Sequence, residues 1–161
     1  MIRLKTSVLL ACATKMGAIL ADASDEDAEK LYKFGEKIGL AFQLQDDFLD
    51  VYGDTKVFGK AIGGDIISNK KTYMLINAIE KASKQQRETL EYWINMPEPD
   101  PQEKVAAVTE IYNEIGINQL ALSKIDELFQ EGLRWLNEVG VPEHNKQEML
   151  AFTKEMMKRE S

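Results

Sequence analysis

Little in this sequence can support redox or nucleophilic chemistry. One cysteine among 161 residues, Cys12, excludes an intramolecular disulfide, so nothing requires an oxidising compartment. The single histidine, His144, sits in a polar turn after Pro142 and reads as a solvated loop residue. Zinc sites and Ser–His–Asp sites therefore have almost no material. Glycine and proline are scarce, at 10 and 4, and no Pro-rich or Ser-rich linker interrupts the chain, which is one domain or part of a larger one. Lysine and arginine are outnumbered 20 to 27 by aspartate and glutamate. That balance argues against a general nucleic-acid surface, because phosphate contacts need clustered positive charge. What is present in quantity is apolar: 44% of residues, enough for a core.

No apolar run reaches the roughly 18 residues of a membrane span, since Lys15 interrupts the best candidate. The N-terminal residues mimic a lipoprotein signal with Cys12 as the modified position. The apolar run before Cys12 falls short of the roughly 7–15 residues of a signal core, and the pattern continues through Met16, Ile19 and Leu20 as a folded helix would. A cytoplasmic location without stable membrane insertion is the expectation.

Apolar residues recur at intervals of three and four over long stretches free of Gly and Pro, which predicts an all-α fold. The first helix is expected over Leu4 to Ala21. It is apolar nearly all round, which places it centrally in a bundle. Ser24 reads as the N-cap of a second helix, Asp25 to Tyr52, with acids in its first turn and Gly53 at its end. A loop over 53–69 follows. Further helices are expected near 70–82, 84–95, 101–115, 117–138 and 143–159, punctuated by Pro97, Pro99, Pro101, Gly116, Gly140 and Pro142.

Asp46-Asp47-Phe48-Leu49-Asp50 is the informative segment. At helical spacing, Gln43, Asp46, Asp47 and Asp50 fall within a wedge of about 100°. Apolar residues border that wedge on both edges, unlike a freely solvated face. Carboxylates held together repel unless a cation or protons intervene. Magnesium suits such a group, since it takes one or two protein carboxylates, waters and phosphate oxygens. On spacing alone a solvated acidic stripe fits equally well. An EF-hand does not fit, because Tyr52 stands where a third oxygen ligand belongs. Gly35 and Gly39 lie on the acids' side of the helix, which suggests either close helix packing or a groove for an extended apolar substrate. Lys5-Thr6, Gly59-Lys60 and Lys70-Lys71-Thr72 supply basic residues near helix starts or in a Gly-rich loop. Taken singly, each lysine reads as a surface charge. Gly59-Lys60 is not a P-loop, lacking the upstream glycine and the following Ser or Thr.

In combination, Lys5-Thr6, Phe42-Gln43-Leu44-Gln45-Asp46-Asp47-Phe48-Leu49-Asp50 and Gly59-Lys60 through Gly63-Gly64-Asp65-Ile66 to Lys70-Lys71-Thr72 resemble the trans-isoprenyl (polyprenyl) diphosphate synthases. Order and spacing agree over about residues 1 to 80, a far more specific match than a bare DDxxD. The resemblance implies a helical bundle of the isoprenoid synthase type. It also implies Mg²⁺-dependent condensation of an allylic diphosphate with isopentenyl diphosphate, and a homodimer. Carried over by position, Asp46, and less directly Asp47 and Asp50, would serve Mg²⁺. Lys5, Lys60 and Lys70 would contact the allylic diphosphate. Thr6 and Gln43 would hydrogen-bond near it, and Phe42 would line the reacting centre.

The sequence departs from the family pattern in one respect. The family's first DDxxD belongs upstream of Lys5-Thr6, and no segment here substitutes for it. The expectation is that residues 1–161 correspond to the C-terminal portion of a single synthase domain, about half of the family fold, inactive alone. A non-catalytic helical interaction or regulatory module derived from a synthase is the alternative. A terpene cyclase of related fold fits less well, because the Gly-rich loop with Lys60 and Lys70 favours the chain-elongating branch.

Overall fold

The computed structural model describes residues 3–53 and 62–158. Among these, every regular element is helical. A π-helical turn, Arg3–Ser7, runs into α1 (Val8–Leu20), followed by α2 (Asp25–Tyr52) and a single turn, α3 (Gly64–Ile67). Then come α4 (Tyr73–Lys81), α5 (Lys84–Asn95), α6 (Pro101–Ile115), α7 (Ile117–Asn137) and α8 (Glu143–Met157). The all-α expectation holds, and no described helix is long and apolar enough to cross a membrane.

The helix limits follow from local chemistry. Ser24 Oγ accepts from Asp27 N at 3.1 Å, capping α2. Ser83 and Gln86 form a reciprocal capping box that opens α5. Asp100 caps α6 with Pro101 in its first turn, and Gly116, at φ 78°, ends it. The helix expected from residue 70 begins at Tyr73 instead, because Thr72 adopts an extended backbone and its hydroxyl accepts from Leu75 N.

The chain divides into two compact units, Met1–Gln45 with Ser123–Arg159, and Asp46–Leu122. In the first, Phe34 and Ile38 of α2 and Leu136 of α7 form a buried centre, with Leu10, Phe129 and Met149 packed on it. Here α1 crosses α2 closely. A Cβ on Gly35 would lie 2.6 Å from Thr14 Oγ1, and one on Gly39 would lie 2.7 Å from Ser7 Cα. Hydrogen bonds stitch the same seam: Ser7 Oγ donates to Glu36 O at 2.6 Å, and Thr14 Oγ1 to Leu31 O at 2.8 Å. Of the two readings of these glycines, close packing is the one realised. In the second unit, α6 packs against α3, α4 and α5. Its core joins Val108, Ile111 and Tyr112 to Met74, Leu75 and Leu90.

One expectation needs correction. Helix α1 is not enclosed: Leu9, Met16, Ile19 and Leu20 are exposed, Leu20 by 83%. Only the side bearing Ala11 and Ala18 is buried. An all-round apolar pattern records that a helix has apolar neighbours, not that this length of chain supplies them.

Because the α1–α2 seam has no room for a methyl group, Gly39→Ala should destabilise the chain by about 1–3 kcal/mol despite alanine's higher helix propensity. Urea unfolding followed by circular dichroism measures this. An unchanged midpoint would mean that the seam is looser than described.

Candidate functional site

The last two turns of α2 carry Asp46, Asp47 and Asp50. Asp46 is exposed, Asp50 half-buried, and Asp47 only 2% exposed. A carboxylate that deep needs a positive partner. Lys70 supplies it: its Nζ donates to Asp47 Oδ1 at 2.9 Å and to Asp65 Oδ2 at 2.7 Å. Asp65 in turn joins the helix, its backbone N–H donating to Asp50 Oδ2 at 2.8 Å. The backbone of 63–70 is tied to α2 at its start, with Gly63 N donating to Asp50 O at 2.6 Å, and is closed on itself by Lys70 N donating to Asp65 O at 2.9 Å.

Glycine is required in this turn. Gly63 adopts φ 86°, and a Cβ there would meet Val105 at 2.5 Å. At Gly64 a Cβ would sit 3.3 Å from Asp50 Oδ1, so a side chain would crowd the carboxylate.

Asp47 and Asp65 thus share one ammonium, and Asp50 stands beside them, held by the Asp65 N–H. Burial pushes the Asp50 carboxyl above its ordinary value, and repulsion from Asp65 and Asp47 adds to the effect. The Asp65 N–H and the Lys70 charge offset this only in part. For Lys70, burial works to lower the pKa, but the hydrogen bonds to Asp65 and Asp47 outweigh it and raise it. Lys70 is a fixed cation at any ordinary pH. Next to the acids, burial pushes the Tyr52 phenol up to about 12, and its neutral hydroxyl donates to Asn113 Oδ1 at 3.0 Å.

Among the other residues singled out from sequence, Thr6 Oγ1 donates to Gln43 Oε1 at 3.0 Å. Phe42 is half-buried and Lys5 exposed. Lys60, with Gly59, lies outside the described residues. Asp65 was not singled out as a site residue, although it stands in the Gly63-Gly64-Asp65 string and faces Lys70. Among the described residues no three His, Cys, Asp or Glu side chains gather closely enough to enclose an ion. Magnesium needs only one or two protein carboxylates where waters and phosphate oxygens complete its shell. The half-buried, crowded Asp50 carboxylate fits that role, because a cation would relieve its repulsion.

A family model described as polyprenyl synthetase matches residues 1–115, and the chain belongs to that family. It is 40% identical over 121 residues to a short chain isoprenyl diphosphate synthase of Methanothermobacter thermautotrophicus, covering 75% of this chain and 36% of the relative. A geranylgeranyl diphosphate synthase of Methanosarcina mazei is 49% identical over 84 residues, covering 52% of this chain and 26% of the relative. A crystal structure of a geranylgeranyl pyrophosphate synthase matches with TM-score 0.87 at 38% identity, covering 99% of this chain and 50% of that one. Another, from Corynebacterium glutamicum and complexed with isoprenyl diphosphate and magnesium, matches with TM-score 0.84 at 30% identity, covering 98% and 44%. The chain thus spans about half the length of the solved relatives it matches and about a third of the first curated one. Its fold is all-α, of the isoprenyl synthase type.

Two substitutions test the electrostatics. Removing the ammonium with Lys70→Met strands the buried Asp47 carboxylate and should cost about 3–5 kcal/mol in urea unfolding. Asp50→Asn should instead stabilise the metal-free chain at pH 7 by roughly 0.5–2 kcal/mol, as relief of a functional-site strain does. The folded-state pKa of Asp50 is raised, so its cost is present above that pKa and is relieved as pH falls through it. The advantage of the Asn variant should therefore shrink on acidification. Equal stability of the two proteins across that range would contradict the assignment.

Proposed function

We propose that this chain supplies the second metal–diphosphate half-site of a polyprenyl diphosphate synthase, an enzyme that condenses an allylic diphosphate with isopentenyl diphosphate. The observation that carries this reading is the cluster of Asp47, Asp50 and Asp65 around Lys70, on the helix face where the family resemblance expects it. Asp46 and Asp50 would hold Mg²⁺, with Asp47 and Asp65 keeping Lys70 extended toward the same place. When bound, magnesium would neutralise charge on the departing pyrophosphate.

The chain's own residues do the rest of the work in this reading. Lys70, already charged and held by two carboxylates, needs little reorganisation to meet a diphosphate oxygen, and such preorganisation is what makes a charge effective in a transition state. Lys5 and Lys60 would contact the allylic diphosphate as well. Thr6 and Gln43, paired with each other, would hydrogen-bond near it, and Phe42 would line the reacting centre.

Elongation in this family also needs the first aspartate-rich motif and a site for isopentenyl diphosphate. The sequence of residues 1–161 holds no further aspartate-rich motif, and among the described residues Leu9, Met16 and Leu20 form an exposed apolar stripe on α1. A complementary half of the family fold, bearing the first motif, is the occupant we assign to that stripe. The alternative, a non-catalytic interaction module, would use the same stripe but not the acids.

Calorimetry with inorganic pyrophosphate should show binding that depends on Mg²⁺ and is weakened at least about tenfold by Asp46→Ala, a change at an exposed side chain. Mixing the chain with a separately made N-terminal half should give Mg²⁺-dependent prenyl transfer that neither gives alone. A complex that forms yet stays inactive, with pyrophosphate binding indifferent to Asp46→Ala, would favour the interaction module.

A further inference from the structure

Lys104 is a lysine in a position built for an apolar residue. It sits on α6 one turn before Val108, on the stripe continued by Ile111 and Tyr112, and is 1% exposed. Among the described residues it makes no ion pair. Its Nζ donates instead to Ile67 O at 3.2 Å and to Asn69 Oδ1 at 2.7 Å. Burial lowers its pKa.

The contrast with the other buried lysine is instructive. Lys146 has a carboxylate partner, Glu143, and closes the end of α7 through Asn137 O. That is ordinary helix-end chemistry. Lys104 has no acid to offset the cost of desolvating an ammonium, and a methionine would fill the same space without that cost. Its two neutral acceptors belong to one turn, Ile67 to Asn69.

That turn is where a tether has leverage. Asn69 holds φ at 53°, a left-handed conformation, and its Nδ2 donates to Ile94 O at 3.0 Å. Its side chain therefore bridges α5 and, through Lys104, α6. The next residue is Lys70. Asp65, Lys70, Lys104 and Tyr112 line one small shared cavity, so the tether stands directly behind the ion pair.

We infer that Lys104 is a positioning residue: by gripping the Ile67–Asn69 turn it sets where Lys70 emerges, and so holds the Lys70 ammonium between Asp47 and Asp65. Lys104 touches no reacting atom in this assignment. The inference rests on the proposed half-site for its significance to function, but its structural content can be tested apart from it.

The test reads the Lys70 ammonium itself, by the rate at which its Nζ protons exchange with water in 15N–1H correlation spectra of the full chain. Lys104→Met should accelerate that exchange by about tenfold or more, because the ion pair is then released from a backbone that opens locally. Amides of α1 and α8 should keep wild-type exchange rates. Asn69→Gly, which tolerates the left-handed backbone but lacks the Oδ1 acceptor, should do the same and carries the test if Lys104→Met does not fold. In parallel, affinity for Mg²⁺ with inorganic pyrophosphate should fall by about tenfold in both variants. Variants that lose global stability while Lys70 exchange stays at the wild-type rate would overturn the inference and leave Lys104 a plain core anchor. If the wild-type chain does not bind pyrophosphate at all, the half-site reading fails, and Lys70 exchange still decides the positioning role.

Discussion

The site depends on a single ammonium group. Lys70 lies between Asp47, buried in the end of α2, and Asp65, within the single turn α3. Without it, a carboxylate that is 2% exposed would have to be protonated or the helix end would have to loosen. With it, the acids of α2 can sit side by side on a rigid support, and the 63–70 segment is fastened to that support by backbone hydrogen bonds. The order of construction is therefore charge first, then turn, then site.

The same arrangement explains why the site is under tension. Two carboxylates share one cation, and the neighbouring Asp50 is left without an ammonium of its own, its pKa raised by burial and by its neighbours. Natural proteins hold such unfavourable groups where the strain is relieved by a ligand, and stability is given up to keep them. In the proposed half-site, a divalent cation bound with a diphosphate would supply the missing positive charge. It would also offer Lys70 a second class of acceptor, so that the ion pairs described here and the proposed ligand contacts would use one preorganised geometry.

How far the sequence alone could reach differs between elements. Helices α5 and α6 span the residues expected from Pro97, Pro99, Pro101 and Gly116, and the structure adds the Ser83–Gln86 box and the Asp100 cap that hold their starts. The acidic face of α2 was legible because helical periodicity is a property of one element. What pairs with that face was not. Asp65 lies 15 residues beyond Asp50, and only the folded chain brings its N–H to that carboxylate. Lys104 had one visible signal, its place on the Val108–Ile111–Tyr112 stripe, where a charge interrupts an apolar pattern. Helix α1 was misplaced for the opposite reason: its apolar pattern is local, whereas its cover depends on chain outside the helix. The glycines of α2 carried an ambiguity between groove and seam that only the approach of Ser7 and Thr14 resolves.

The most direct measurement is a crystal structure of the chain soaked with Mg²⁺ and inorganic pyrophosphate. The account predicts an ion about 2.1 Å from a carboxylate oxygen of Asp46 or Asp50, bridged to phosphate, with Lys70 Nζ shared between its carboxylates and a phosphate oxygen. A well-ordered pyrophosphate bound away from these residues, with the Asp47–Lys70–Asp65 pairing untouched, would contradict it.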